Sequence, residues 1–263
     1  MPPPVRGTCL ARITVVTRGI YTVASGGVAA LERLQAVSQN LANVNTAGYR
    51  AERVIFQVKP LSGGPRGAVD SVLGRTSQQV VQAATIRDFT PGPIHETGNP
   101  LDVALSGDGF FVVNTARGER YTRQGSFALD AQGYLVTARG DRVQGDGGDI
   151  SIGEHDIRIG DDGSIFADDQ PIGRLKVVGF GDKPALVPEG DALFAPATPQ
   201  VTPTPLDTAQ VQVSQAHLEG ANVNAIAGME ELVEISRGYV SYMNALRRLD
   251  EIVGKSINEV GRV

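Results

Sequence analysis

Apolar positions recur every three and four residues at both ends of the chain, while the middle breaks into short apolar segments separated by turn residues. From Thr22 to Val44 one register takes Val23, Ala30, Val37 and Val44, and the other takes Gly27, Leu34 and Leu41. That alternation draws a narrow apolar stripe down one face of a helix. Glu32, Arg33, Gln35 and Gln39 lie off it. The helix is expected to end across residues 43–48, where Asn tolerates the left-handed conformation and Gly has no Cβ to clash. Near the C-terminus Ala225, Leu232, Tyr239, Leu246, Val253 and Val260 form one register. Met229, Ser236, Met243, Asp250 and Ile257 form the other. Asn222 and Asn224 are the candidate N-caps. Glu230, Glu231 and Glu234 lie early and Arg247, Arg248 and Lys255 late, as the helix dipole prefers. Gly228, Gly238 and Gly254 each cost about 1 kcal/mol relative to Ala, so this helix needs packing to be stable. Over 224–260 it would be about 55 Å long. A compact domain of this size would leave part of that stripe for other chains. The competing reading is a helix lying across its own domain.

Between the two ends, strand and turn signals alternate. Residues 54–81 read as extended and glycine-broken, with β-type content from Gln78 to Ile86. Leu101–Leu105 alternates, Phe110–Val113 is continuously apolar, and residues 106–109 between them read as a hairpin turn. Asp130–Gly133 and Gly160–Gly163 read as further turns, and Arg174–Val178 as one more strand. Pro196, Pro199, Pro203 and Pro205 mark an extended linker. Such spacing indicates antiparallel β structure.

Composition sharpens this division. Of the 263 residues 32 are Gly and 15 Pro, and 22 of the glycines fall within 61–190. No Pro lies between Val5 and Lys59 or after Pro205. A net charge of −5 gives no bulk attraction for nucleic acid. No apolar run approaches the ~20 residues of a membrane span. The single cysteine, Cys9, permits no internal disulfide. Arg6 and Arg12 interrupt the apolar run a cleaved signal would need, so residues 1–15 read as an irregular leader.

Candidate chemistry is sparse. Gly107-Asp108-Gly109 lacks the third glycine of a dinucleotide fingerprint and no helix follows, so a β-turn explains it. Asp161-Asp162-Gly163 and residues 146–149 lack the alternating carboxylates of a calcium loop. His95, His155 and His217 have no metal-ligand spacing. The reading is a non-enzyme with no cofactor and no metal.

One segment is distinctive: Ser38-Gln39-Asn40-Leu41-Ala42-Asn43-Val44-Asn45-Thr46-Ala47-Gly48-Tyr49-Arg50. It resembles the N-terminal signature of bacterial flagellar rod, hook and hook-associated proteins. Thr97-Gly98-Asn99-Pro100-Leu101-Asp102 through Gly107-Asp108-Gly109-Phe110-Phe111 resembles the motif opening that family's β domain. Leu218-Glu219-Gly220-Ala221-Asn222-Val223-Asn224 through Met229, Leu232 and Arg237 resembles its C-terminal motif. The resemblance runs from Val16 to the C-terminus. Gln39 stands where Asn is commoner, and residues 1–15 are foreign to the pattern, so Val16 is expected to be the native start. Arg18–Gly26 and Pro171–Val178 are similar to the proximal-rod branch, with the distal-rod branch as the alternative. A secreted β-domain binding module with helical oligomerisation arms is the alternative outside the family.

The resemblance implies an α+β fold: a mainly antiparallel β central domain flanked by long N- and C-terminal coiled-coil-forming helices. It implies a leader (1–15), an N-terminal rod helix (16–48), an extended linker (49–85), a β-rich domain (86–205) and a C-terminal rod helix (206–263). The expected function is a structural subunit assembling into a helical tube that transmits torque for motility. Its partners would be copies of itself, other rod proteins and the flagellar type III export apparatus. Nucleic acid and direct membrane insertion are not expected. The location would be the basal-body rod across the periplasm, reached without a cleaved signal peptide. Ala30, Leu34, Val37, Leu41, Val44, Met229, Leu232, Tyr239, Met243, Leu246 and Val253 would form the assembly interface. Asn43, Asn45, Thr46 and Gly48 would shape the exit from the first helix.

Overall fold

A computed structural model describes residues 6–60, 78–153, 155–181, 186–198, 200–206 and 211–260. The glycine-broken stretch 61–77 lies outside the described residues. The chain divides into two compact units. The first holds residues 1–41, 52–86 and 225–263, and the second holds residues 42–51 and 87–224.

In the first unit, helix α1 spans Arg6–Ala42 and helix α2 spans Ala225–Val260. The strands Glu52–Pro60 and Gln78–Arg87 pair with each other. Helix α2 begins directly after the Asn224 cap position, whereas α1 starts at Arg6 and so runs through residues expected to be an irregular leader. The expectation of coiled-coil-forming helices is corrected, because no coiled coil is shown. A coiled coil needs a side-chain knob in a four-residue hole at each repeat. Here Gly26 presents backbone to the Tyr242 ring, with which an added Cβ would collide at 2.7 Å. Leu41 lies near Gly228, where an added Cβ would sit 3.9 Å from it, an ordinary contact. Arg33 is tied to Glu231 across 2.6 Å. Gly27, the glycine within the α1 register, has no side chain to serve as a knob.

The second unit is mostly antiparallel β structure. A ten-stranded sheet runs in the order 186–190, 193–196, 118–122, 110–115, 142–145, 135–137 and 127–129, with three short strands off that path. Residues 157–159, 164–167 and 170–174 form a second sheet. Val103–Gly107 pairs with Val211–Gln215, and Ile94–Glu96 pairs with His217–Glu219. The segment 206–263 was expected to be helical, and its first part is instead drawn into this unit as strands.

The turns at 130–133 and 160–163 close antiparallel hairpins, as the sequence predicts. The turn at 106–109 does not. Val103–Gly107 leaves for its partner at 211–215, and Phe110–Thr115 joins the large sheet. The apolar run explains why that strand is central. Alternate side chains point to opposite faces, so Phe111 and Val113 enter one core while Phe110 and Val112 enter another. The first core adds Val103, Leu135, Val143 and Ile165, and the second adds Tyr121, Val178 and Phe194. The strand expected over 174–178 is split, with Leu175 bridging Gly145 between two strands.

Candidate assembly junction

The segment leaving α1 folds back on itself first. Thr46 donates its backbone N–H to the Asn43 carbonyl at 3.0 Å, and its hydroxyl bonds the Asn43 side chain at 3.2 Å. Gly48 then takes φ +67°, and a Cβ there would strike the backbone of Arg123 and Gln124. Only glycine meets both demands. The Gly48 N–H donates to the Glu219 carbonyl at 2.7 Å. This turn sets the next two side chains, Tyr49 and Arg50, into the interior, where both are buried.

Arg50 meets Glu219 there. Its Nη2 donates to Glu219 Oε1 at 2.6 Å, and both side chains are 1% exposed. The other carboxylate oxygen accepts from Arg123 Nη1 at 3.1 Å, and the Gly92 N–H donates to Oε1 at 2.9 Å. Arg123 also donates to the carbonyls of Leu105 and Gly107. Its guanidinium lies 5.4 Å from the Phe110 ring centroid. Burial pushes the Arg123 guanidinium below its ordinary pKa, and the Glu219 charge opposes that shift. Arg87 closes the other side, donating to the Tyr49 hydroxyl at 3.2 Å and to the Arg50 carbonyl at 2.9 Å. A buried charge set of this kind is costly to assemble and costlier to break, because removing one partner strands the others.

Asn222 adds a second tie. Its Oδ1 accepts from the Ala51 N–H at 2.7 Å, and its Nδ2 donates to the carbonyls of Asp88 and Thr90 at 2.8 and 3.0 Å. The candidate N-cap thus joins the two terminal segments. Nearby in sequence, Thr97, Asn99 and Asp102 form a separate knot. The Thr97 hydroxyl and Asn99 amide donate to the carboxylate of the buried Asp102 at 2.7 and 3.1 Å. In the first unit, Asn40 exchanges two hydrogen bonds with the Glu52 backbone, at 2.9 and 2.8 Å.

The expected interface residues divide. Val37 is buried, and Ala30, Leu34, Leu41, Leu232, Tyr239, Met243, Leu246 and Val253 are half-buried. Met229 is 56% exposed. Val44 lies past the end of α1 in the turn, within the second unit. Of the motif residues, Gly48, Tyr49, Asp102, Gly109 and Phe110 are buried. Ala42, Asn45, Gly98, Asn99, Pro100, Gly107, Asp108 and Asn224 are exposed, and Leu101 and Val223 are half-buried. Reading the sequence passed over Arg87, Arg123 and the roles of Arg50 and Glu219. For Arg50 and Glu219 a signal existed: each closes or opens a family motif, with opposite charge. Arg87 and Arg123 carried none. Among the described residues, no group of three or more His, Cys, Asp or Glu could hold a metal ion, and no helix is long and apolar enough to cross a membrane.

The segments meeting at this junction match family models. Residues 20–50 match the flagella basal body rod protein model, residues 104–167 the D1 domain of the flagellar hook protein FlgE/F/G, and residues 214–259 the C-terminal part of the basal body rod FlgEFG proteins. The flagellar basal-body rod protein FlgF of Caulobacter vibrioides is 31% identical over 249 residues, covering 93% of this chain and 98% of the relative. The chain belongs to the flagellar basal-body rod protein family. Escherichia coli FlgF is 33% identical over 90% of this chain and 96% of its own length. FlgG of Agrobacterium fabrum is 32% identical over 91% and 99%. Both rod protein types are thus represented at similar identity. The family's N- and C-terminal models each include one half of the Arg50–Glu219 pair.

Proposed function

We propose that this family member is a structural, non-catalytic subunit of the proximal rod, of FlgF type, packing against copies of itself and other rod proteins in a helical tube. The tube passes motor torque outward through the periplasm. The chain leaves the cytoplasm through the flagellar export apparatus without a cleaved signal. The observation that carries this reading is the junction. Arg50 follows α1, Glu219 precedes α2, and both are fixed within one β unit by buried ionic bonds. The chain segments on either side of the two helices are thus tied to each other within the β unit. The helices meanwhile keep exposed apolar side chains, among them Tyr21, Val28, Leu31 and Met229, for neighbours to cover. Contacts that do not close generate a helical array.

The FlgF assignment is supported by the Arg18–Gly26 opening, and the distal FlgG reading by relatives of that name at equal identity. Deletion of the gene should abolish motility. Immunogold labelling of purified basal bodies should then place the chain at the proximal end of the rod. Label confined to the distal rod would replace the FlgF reading. Swimming by the deletion strain would refute the rod function itself.

A further inference from the structure

The last residues of the β unit touch its separated parts in turn. Val211–Gln215 pairs with Val103–Gly107, and His217–Glu219 with Ile94–Glu96. Among the described residues, neither partner strand belongs to any other ladder. Val211 and Val213 sit in the first core with Val103 and Leu105. The Val213 N–H donates to the Asp161 carbonyl at 3.0 Å. The Gln215 side chain accepts from the Ile159 N–H at 3.1 Å and donates to the carbonyls of Pro100 and Ile157 at 2.9 and 3.1 Å. Glu219 supplies the counter-charge of Arg50 and Arg123, and Asn222 holds the Ala51 N–H. We propose that residues 211–222 are a clasp whose docking is the obligatory step in folding the β unit, so that the unit stays open until the chain has been made through Asn222.

Without the clasp, three costs arise together. The strand 103–107 has no ladder partner, and Val103 and Leu105 lose the side chains that cover them. Arg50 and Arg123 keep their charges with no carboxylate to share. The first core loses a wall, and the central strand 110–115 passes that loss on, because Phe111 and Val113 face the first core while Phe110 and Val112 face the second. Arg123 strengthens the link. It follows the strand 118–122 and donates to the carbonyls of Leu105 and Gly107, on the strand that the clasp pairs with. The hairpins at 130–133 and 160–163 are local, but an isolated two-stranded hairpin is marginal in water. The clasp contacts are distant in sequence: Gly92 and Glu219 stand 127 residues apart, and Arg50 and Glu219 169. Closing loops of that length costs entropy before the contacts repay it. The clasp ends at residue 222 of 263, so most of the chain must exist before the unit can close. The competing order is a large sheet that folds first and receives the clasp as a late addition. The proposal does not rest on the rod reading.

The test refolds the full chain from urea and follows it by pulse-labelling hydrogen exchange. Amides of 110–115 and 118–122 should gain protection at the same rate as those of 211–220. Val213→Ala should slow refolding about tenfold and leave the unfolding rate nearly unchanged, since its contacts form in the rate-limiting step. In the folded protein, amides of the clasp and of the central strand should exchange through one opening, with the same dependence on urea. Protection of 110–122 ahead of 211–220 would overturn the proposal. So would Val213→Ala protein that refolds at the wild-type rate and only unfolds faster, or a clasp that exchanges by itself while the central strand keeps its full protection.

Discussion

The β unit and the helical unit bury their apolar residues to very different extents. In the β unit Val103, Phe111, Val112, Val113, Leu135, Val143 and Ile165 are fully hidden. Even its ionic cluster is closed off from solvent at Arg50, Arg123 and Glu219. In the helical unit Ile235 is the only described residue of α2 that is buried, while Ile226, Met229, Val233, Val240 and Ile252 stand exposed. The central strand 110–115 finds partners for both faces within one chain, because its alternate side chains feed two cores at once. A long helix offers more face than one neighbouring helix can cover. The β unit closes its apolar faces within the chain, and the helical unit leaves apolar face exposed, available to the neighbours proposed above.

The largest effect should come from breaking the closed side of this comparison. Glu219→Ala leaves Arg50 and Arg123 buried without their counter-charge and should cost about 3–5 kcal/mol. Urea unfolding followed by tyrosine fluorescence reads this, since the chain has no Trp. A loss below about 1 kcal/mol would mean that the cluster is not a structural tie. Next comes Gly48→Ala, which combines a positive φ with a backbone collision and should cost more than about 1 kcal/mol. The same measurement on Gly140→Ala, where an added Cβ meets nothing within 4 Å, isolates the collision from the φ penalty. The two variants should differ, with Gly48→Ala the less stable.

The smallest effect concerns exposed carboxylates. Hydrogen bonds from the Ser164 side chain and backbone hold the Asp162 carboxyl below its ordinary pKa. Asp149 is held low by Gln144 and then Arg142. A carboxyl with a lowered folded pKa stabilises the fold above its unfolded value, near 4, and loses that contribution as pH falls through the folded value. Asp162→Asn should therefore cost a little stability at pH 7 and less at pH 3. An equal cost at both values would contradict the assignment.

Much of the fold was legible in the sequence. The Asn224 cap position placed the start of α2, and turn residues placed the hairpins at 130–133 and 160–163. Periodicity did not show whether neighbouring apolar segments pair with each other. Residues 106–109 look like a hairpin turn, yet the strand before them pairs with residues 211–215. That choice depends on which distant strand completes the core. The heptads gave the helices but not a coiled coil: Gly27 keeps the period without supplying a knob, and Gly26, outside the register, is what lies against the Tyr242 ring. The junction was half legible. Arg50 and Glu219 stand 169 residues apart, each at a family motif, but nothing local to Arg123 indicates that it will meet Glu219 across 96 residues.

The division of labour between the units is tested most directly by Met229→Asp. Met229 is exposed, so the substitution should change the stability of the isolated chain by no more than about 0.5 kcal/mol. The decisive measurement is the amount of this variant in basal bodies purified from cells expressing it in place of the wild-type chain. Near-complete exclusion from the rod is the predicted result. Incorporation at the wild-type level would contradict the claim that the exposed faces of the helices carry assembly.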